Sequence, residues 1–136
     1  MNVLVDTSIW SLALRRSKVV VNVEKIELRR LIDDFEAAII GPIRHELLSG
    51  IRDMKQFVFL RERLAAFPDL ALKTADFEQA ASYFNHCRVK GVQGSNTDFL
   101  ICAVSSSRKM PIFTTDGDFA QLAKLLPIKL HHVAHA

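Results

Sequence analysis

Four carboxylic acids in this chain stand where an apolar run ends or where a helix-like segment begins. They are Asp6, Glu46, Asp98 and Asp116. Carboxylates that meet in one pocket repel, because two unit charges about 4 Å apart cost about 4 kcal/mol at an effective dielectric constant of about 20. A divalent cation removes that cost, and Mg²⁺ or Mn²⁺ takes oxygen ligands, which four acids supply for one ion or two. The chemistry of these acids therefore depends on the elements that position them.

Short apolar runs alternate with longer segments of helical period, which is typical of a parallel sheet flanked by helices. The predicted strands are Asn2–Val5, Ala37–Ile40, Leu70–Leu72, Ile112–Thr114 and Ile128–His132. The predicted helices cover residues 9–15, 23–34 and 41–50, one segment through Phe57 to Phe67, one through Phe77 to Phe84, one that opens at residues 95–98, and one packed through Phe119, Leu122 and Leu126. We therefore expect a single α/β domain over residues 1–136, with a parallel sheet of about five strands.

The predicted topology gathers the acids at one edge of the sheet. Connections that leave the carboxyl ends of parallel strands lie along the same edge, where open α/β sheets bind ligands. Asp6 leaves the first strand, Glu46 lies early in the helix after the second, and Asp116 follows the fourth. Asp98 reaches the same edge if its helix runs antiparallel to the strands. The hydroxyls of Thr7, Ser8, Thr114 and Thr115 then lie close enough to orient water or carboxylates, in a centre suited to phosphodiester hydrolysis.

Composition bounds the class of protein. With 136 residues, 49% of them hydrophobic, the chain has room for one core. No apolar run approaches the roughly 20 residues of a spanning helix, so we expect a soluble, cytoplasmic protein with no membrane segment and no secretory leader. The net charge of +3 is compatible with a polyanionic partner, although such an excess is common.

Several single residues carry their own expectations. Arg15, Arg16 and Arg44 lie near the predicted edge and are the candidates for a phosphate-binding rim, with an ordinary solvated surface as the alternative. Cys87 and Cys102 lack the spacing of a zinc or redox pair, so both are predicted to be reduced packing residues. Trp10 is predicted to lie in the core, and the solvated tail is predicted to hold His131, His132 and His135.

Each acid also has a purely structural explanation. Asp6 can cap the first helix, and Ser95 with Asp98 matches a capping box. Asp116 can belong to a turn in which Asp118 caps the last helix. The chain would then be a non-catalytic binding module that keeps the acids as caps. A further alternative is a phosphoryl-transfer enzyme with Asp6 as nucleophile, for which the second aspartate expected two residues later is absent.

Four stretches, in this order, resemble the PIN-domain family: Val3–Ser8, His45–Gly50, Asp98–Ala103 and Thr114–Phe119. The resemblance spans almost the whole chain, and the Glu-Leu-Leu-x-Gly stretch most resembles VapC-type toxins of toxin–antitoxin pairs. It implies a five-stranded parallel sheet between helices, a metal-dependent endoribonuclease active on structured RNA, a homodimer, and a cognate antitoxin as partner. Cys102 departs from the family pattern, where a small alanine is usual.

Matched to the motifs of that family, the acids carried over are Asp6, Glu46, Asp98 and Asp116, with Asp118 as a secondary candidate. We therefore expect hydrolysis of RNA by water that Mg²⁺ or Mn²⁺ activates, with Asp6, Asp98 and Asp116 as the principal metal ligands. Glu46 is expected to be a further ligand or the base that orients the attacking water. Secondary positions are Thr7, Ser8 and Thr115.

Overall fold

The computed structural model describes residues 2–14 and 22–133. Its strands are β1 (Val3–Val5), β2 (Ala37–Ile40), β3 (Asp69–Leu70) and β4 (Ile112–Phe113). Its helices are α1 (Thr7–Leu14), α2 (Val23–Asp33), α3 (Gly41–Leu48), α4 (Met54–Leu64), α5 (Thr74–Val89), α6 (Asn96–Arg108) and α7 (Asp118–Leu125). Outside the described residues lie Arg15, Arg16 and His135.

The four strands form one parallel sheet in the order β3-β2-β1-β4. In its register Val3 lies opposite Ala37, and Leu4 lies opposite both Ala38 and Ile112. β1 is central and fully buried, because the crossover helices cover both faces of a parallel sheet and leave its middle strand no contact with water. The predicted α/β class with a parallel sheet is confirmed.

The prediction of a fifth strand over Ile128–His132 is wrong. That segment makes one isolated parallel bridge, between Leu130 and Ile112. Two hydrogen bonds flank it, from the Ile112 N–H to the Lys129 carbonyl at 2.9 Å and from the His131 N–H to the Ile112 carbonyl at 2.7 Å. β4 is only two residues long, so a neighbouring segment has too little ladder to extend along.

The core forms where helices α1 and α6 pack on the sheet. α6 buries Phe99 and every residue from 101 to 105. Trp10 of α1 is 1% exposed, donates its indole N–H to the Val5 carbonyl at 3.0 Å, and packs on Phe67. The core position predicted for Trp10 is therefore confirmed. Cys87 and Cys102 are buried free thiols, as predicted.

An ion pair joins the end of α6 to the beginning of α5. Asp76, which is 6% exposed, accepts hydrogen bonds from the Lys73 N–H at 2.8 Å and from the Arg108 guanidinium at 3.1 Å. Burial alone would raise the pKa of this carboxyl, but the Lys73 N–H and Arg108 outweigh it and lower the pKa. The contact therefore ties the last residue of α6 to the first turn of α5.

The placement of His131 differs from the expectation of a solvated tail. Its Nε2 lies 2.5 Å from a carboxylate oxygen of Glu27, and its ring packs edge-on against Phe113. His132 is exposed, in line with the expectation. Within the described ranges, none of the helices combines the length and apolar character needed to span a bilayer.

Candidate metal and active site

The four predicted acids sit on four different elements around one edge of the sheet. Asp6 follows β1 directly, Glu46 lies in α3 after β2, and Asp116 follows β4 by three residues. Asp98 lies in the first turn of α6, the helix that leads back into β4. α6 therefore runs antiparallel to the strands, which is the condition for Asp98 to reach this edge.

The negative charges of Asp6 and Asp116 influence the pKa of Asp98. Burial raises the pKa of Asp98, and the Ser95 N–H and hydroxyl offset part of that rise. The negative charges of Asp6 and Asp116 then raise the pKa further. Such an effect requires the three carboxylates to lie near one another, because Coulomb energy between solvated groups fades with distance.

Asp6 is the buried member of the group, at 5% exposure. One of its oxygens, Oδ2, accepts hydrogen bonds from the Ser8 hydroxyl and the Thr114 hydroxyl, both at 2.8 Å. The backbone carbonyl of Asp6, rather than its side chain, accepts the first N–H groups of α1, from Ile9 and Trp10. Among the described residues the Asp6 carboxylate is thus occupied by hydroxyls and not by a helix cap.

The two hydroxyls at Asp6 also hold the loop after β4. Ser8 Oγ accepts from the Thr115 N–H at 3.1 Å, and Thr114 Oγ1 accepts from the Asp116 N–H at 2.9 Å. Each hydroxyl therefore receives one hydrogen bond from the loop and passes one to the same oxygen of Asp6. The loop that carries Asp116 is fixed to the first turn of α1 by this relay.

Glu46 is tied to that same turn. The Thr7 hydroxyl donates to Glu46 Oε1 at 2.7 Å, although the two residues are 39 positions apart. Glu46 is exposed, since it flanks the buried face formed by Ile43 and Leu47 on α3. Its carboxylate therefore stands at the solvent side of the edge, beside the residue that follows Asp6.

Asp98 has a capping role as well as its place near Asp6. Its Oδ2 accepts from the Ser95 N–H at 3.0 Å, and its own N–H donates to Ser95 Oγ at 3.1 Å, which completes a capping box. In the described part of the chain, no hydrogen bond reaches the second carboxylate oxygen. Capping thus uses one oxygen and leaves the other for a ligand.

At the start of α7 the hydrogen-bond acceptor is Asp116, whereas Asp118 was expected to cap this helix. Asp116 Oδ1 accepts from the Asp118 N–H at 2.9 Å, so Asp116 satisfies the start of α7. Asp118 is the first residue of that helix and is exposed. The expectation that Asp118 caps the last helix is therefore wrong, whereas the turn at Asp116 is present.

The donor set suits Mg²⁺ or Mn²⁺, because it consists of carboxylates and hydroxyls. As they stand, however, no three His, Cys, Asp or Glu side chains among residues 2–14 and 22–133 form a group that encloses an ion. Magnesium keeps several of its waters and usually takes only one or two protein carboxylates. The open arrangement therefore fits a hydrated ion held partly through water, rather than a closed cage.

Arg44, expected to bind RNA phosphate, has protein partners instead. Its Nε donates to Asp69 Oδ1 at 2.9 Å, one terminal nitrogen donates to the Leu64 carbonyl at 2.9 Å, and the other donates to the Phe67 carbonyl. All three nitrogens are occupied, which favours a structural role that ties α3 to the segment before β3. For Arg15 and Arg16 the expectation falls outside the described residues and stays a prediction.

Comparison with known proteins gives consistent matches. A family model described as the PIN domain matches residues 3–125. The fold is similar to VapBC2 from Rickettsia felis bound to a promoter DNA fragment (TM-score 0.77, 16% identity, 96% of this chain and 98% of that chain). It is also similar to FitAcB from Neisseria gonorrhoeae (TM-score 0.75, 18% identity, 96% of each chain). VapBC-5 from Mycobacterium tuberculosis, a member of the VapBC family of toxin–antitoxin systems, gives a TM-score of 0.69 at 22% identity over 97% of this chain and 98% of that chain.

At these identities the solved structures show a common fold. A comparison with curated protein sequences returned no match. The coverage on both sides shows that the common fold extends over nearly the whole of each chain.

Asp98→Asn should leave the protein no less stable than the wild type in a chelator at neutral pH. The amide oxygen still accepts from the Ser95 N–H, while the repulsion from Asp6 and Asp116 is gone. Asp98→Ala should lose about 1 kcal/mol, the usual cost of a lost cap. Denaturant unfolding of the three proteins measures this, and equal losses in both variants would show that repulsion at Asp98 is negligible.

The raised pKa of Asp98 also predicts that the difference in stability between the wild type and Asp98→Asn depends on pH. A carboxyl group whose pKa is higher in the folded than in the unfolded chain holds its proton better when folded, so it lowers stability as the pH rises through the folded value. Between about pH 4, the ordinary aspartate value, and the raised folded value, the wild type should therefore lose stability relative to Asp98→Asn. Parallel curves for the two proteins would contradict the raised pKa.

Thr114→Val should destabilise the protein by about 1 to 3 kcal/mol, because it leaves the Asp116 N–H and Asp6 Oδ2 each short of a partner. Thr114→Ser should restore most of the loss, since it keeps the hydroxyl. The matched control is Thr115→Val, the same change at the exposed neighbouring position. If Thr114→Val and Thr115→Val unfold at the same denaturant concentration, the hydroxyl relay contributes nothing.

Proposed function

This chain belongs to the PIN domain family, and from that premise we propose that it is a Mg²⁺- or Mn²⁺-dependent endoribonuclease that hydrolyses RNA phosphodiester bonds. The observation that carries the proposal is the convergence of three acids from separate elements: Thr114 is hydrogen-bonded to both Asp6 and Asp116, and the charges of these two acids raise the pKa of Asp98. Structural caps alone need no such convergence, because each serves only its own helix.

The residues that would hold the ion are Asp6, Asp98 and Asp116. When bound, a divalent cation activates water and neutralises phosphate charge. Asp6 Oδ2 is already engaged by Ser8 and Thr114, so Oδ1 is the oxygen left for a ligand. Asp98 likewise offers the oxygen that its capping box does not use. The hydroxyl relay holds these groups in place before substrate arrives, which lowers the cost of organising the site.

Glu46 is suited to receive the proton of the attacking water. Thr7 holds one of its oxygens at 2.7 Å, and the carboxylate is exposed, so its second oxygen can accept a proton and release it to solvent. Asp118, exposed beside Asp116, is a secondary candidate for contact with hydrated substrate. Thr115 serves through its backbone N–H, which orients the Ser8 hydroxyl.

We further propose that the chain is the toxin of a type II toxin–antitoxin pair, that it forms a homodimer, and that a cognate antitoxin protein binds it. Support comes from the fold, which matches VapBC and FitAB assemblies over nearly the full length of both chains. The buried free thiols of Cys87 and Cys102 fit a reducing compartment, so we place the protein in the cytoplasm.

A non-catalytic binding module is the second candidate, and two observations favour it. Asp98 and Asp116 both satisfy helix starts, and no closed three-ligand group exists among the described residues. The phosphoryl-transfer alternative has less support, because Ser8 stands where the second aspartate is expected, two residues after Asp6.

Asp6→Asn and Asp98→Asn should each reduce cleavage of structured RNA in Mg²⁺ by roughly a hundredfold or more, since each removes a ligand charge from the ion. The control is Asp33→Asn, the same change at an exposed residue that ends α2, before β2 and so at the opposite edge of the sheet. It should cut at the wild-type rate. Undiminished cleavage by Asp98→Asn, or no cleavage by the wild type in either Mg²⁺ or Mn²⁺, would contradict the proposal.

Metal binding is measured separately from catalysis. Mn²⁺ should raise the melting temperature of the wild type and of Asp33→Asn alike, and that of Asp98→Asn less, because a ligand that binds only the folded state stabilises it. The binding-module alternative expects no shift in any of the three proteins, since caps take no metal.

A further inference from the structure

A cavity of about 290 Å³ lies beside Asp98, between the end of α5 and the loop that leads into α6. The residues that line it are Phe84, Arg88, Val92, Gln93, Gly94 and Phe99. The lining is mostly apolar and aromatic, with one cationic and one amide side chain, which is the usual composition of a site for a small planar ligand. None of these residues belongs to the group of acids described above.

The wall of the cavity combines two aromatic rings with a guanidinium. Phe84 and Phe99 meet edge to face, with centroids 5.4 Å apart, and the guanidinium of Arg88 lies over the Phe84 ring at 5.7 Å. Nucleobases stack on aromatic side chains, and a nearby arginine adds a cation–π contribution. Gln93 is exposed at the rim, and its amide has both a donor and an acceptor for the edge of a base.

Gly94 connects the cavity to the acids. A β-carbon at this position would lie 3.2 Å from Phe99 Cε2 and 3.5 Å from Asp98 Oδ2. A side chain here would press on the Phe99 ring and come into van der Waals contact with the Asp98 carboxylate. The wall of the cavity formed by Gly94 and Phe99 therefore lies next to Asp98.

We propose that this cavity, the base pocket, binds one nucleobase of the RNA strand next to the bond that is cut. The proposal rests on the nuclease function argued above, because the position of the pocket matters only if Asp98 serves the reaction. Stacking gives the pocket affinity for any base, and the Gln93 amide gives it a preference among bases.

Arginine stacking alone does not carry the proposal. Arg61 lies over Phe57 at 5.9 Å with the same four-residue spacing on α4, so this contact also occurs as ordinary helix packing. The base pocket differs because its Arg–Phe pair lines a cavity and because the wall of that cavity lies next to Asp98. Arg61→Ala is therefore a matched control that removes an equivalent pair outside the pocket.

The test uses a ten-nucleotide RNA of uridines with one central 2-aminopurine, whose fluorescence changes when the base stacks. In a chelator, so that nothing is cut, the wild type should bind with a fluorescence change. Arg88→Ala and Gln93→Ala should bind roughly tenfold more weakly. Arg88→Ala should also lose the fluorescence change. Arg88→Lys should lose it too, because lysine keeps the charge but has no plane. Arg61→Ala should match the wild type.

Cleavage gives an independent readout. With Mg²⁺, Arg88→Ala should raise KM roughly tenfold with kcat almost unchanged, as expected for binding that is equal in the ground and transition states. An abasic nucleotide beside the cut should raise KM for the wild type by a similar factor. In Arg88→Ala it should raise KM little further, because the base and Arg88 are the two partners of one contact that is already lost.

The outcomes separate the two proposals. In one outcome the wild type binds with the fluorescence change, both Arg88 variants lose that change, and no RNA is cut in the presence of metal. This outcome supports the base pocket and overturns the nuclease. In the other outcome the wild type cuts RNA, and Arg88→Ala and Gln93→Ala bind and cut as Arg61→Ala does. This outcome overturns the base pocket and supports the nuclease. Absence of a fluorescence change in the wild type, or tighter binding of an apolar peptide than of RNA, also overturns the base pocket.

Discussion

The burial of one carboxylate, Asp6, at the edge of the sheet is the constraint around which this structure is organised. Asp6 is almost fully buried, and a buried charge is costly unless hydrogen bonds satisfy it. The hydroxyls of Ser8 and Thr114 do so at a single oxygen, and the same hydroxyls receive N–H groups from the loop after β4. Asp6 thereby becomes the point to which the loop carrying Asp116 is attached.

The other acids divide their oxygens between the fold and the solvent-facing space. Asp98 gives one oxygen to the start of α6, and Asp116 gives one to the start of α7. The N-terminus of a helix carries a partial positive charge, so it stabilises a carboxylate there. The neighbouring carboxylates destabilise the same negative charge. Capping and metal binding are thus compatible uses of one side chain, and the capping box is the means by which Asp98 is oriented.

Much of the fold follows from patterns in the sequence. The apolar run Ala37–Ile40, followed by Gly41-Pro42, predicts the second strand and the helix after it, and both are present with that boundary. The fifth strand fails because β4 is only two residues long, and Leu130 pairs with Ile112 in a single isolated bridge. Hydrophobic alternation does not reveal how long the neighbouring strand is, and pairing depends on both partners.

By itself the sequence determined the fold class, the core positions of Trp10 and both cysteines, and the acids whose elements end at a common edge, because these depend on local periodicity and on the fixed handedness of crossovers. Only the tertiary structure decided the partners of individual groups. Arg44 binds Asp69 and carbonyls, and His131 meets Glu27 across 104 positions. Ser8 and Thr114 converge on one oxygen of Asp6 although they lie 106 positions apart. Such contacts join segments remote in sequence, and their geometry is set by packing, which no local pattern encodes.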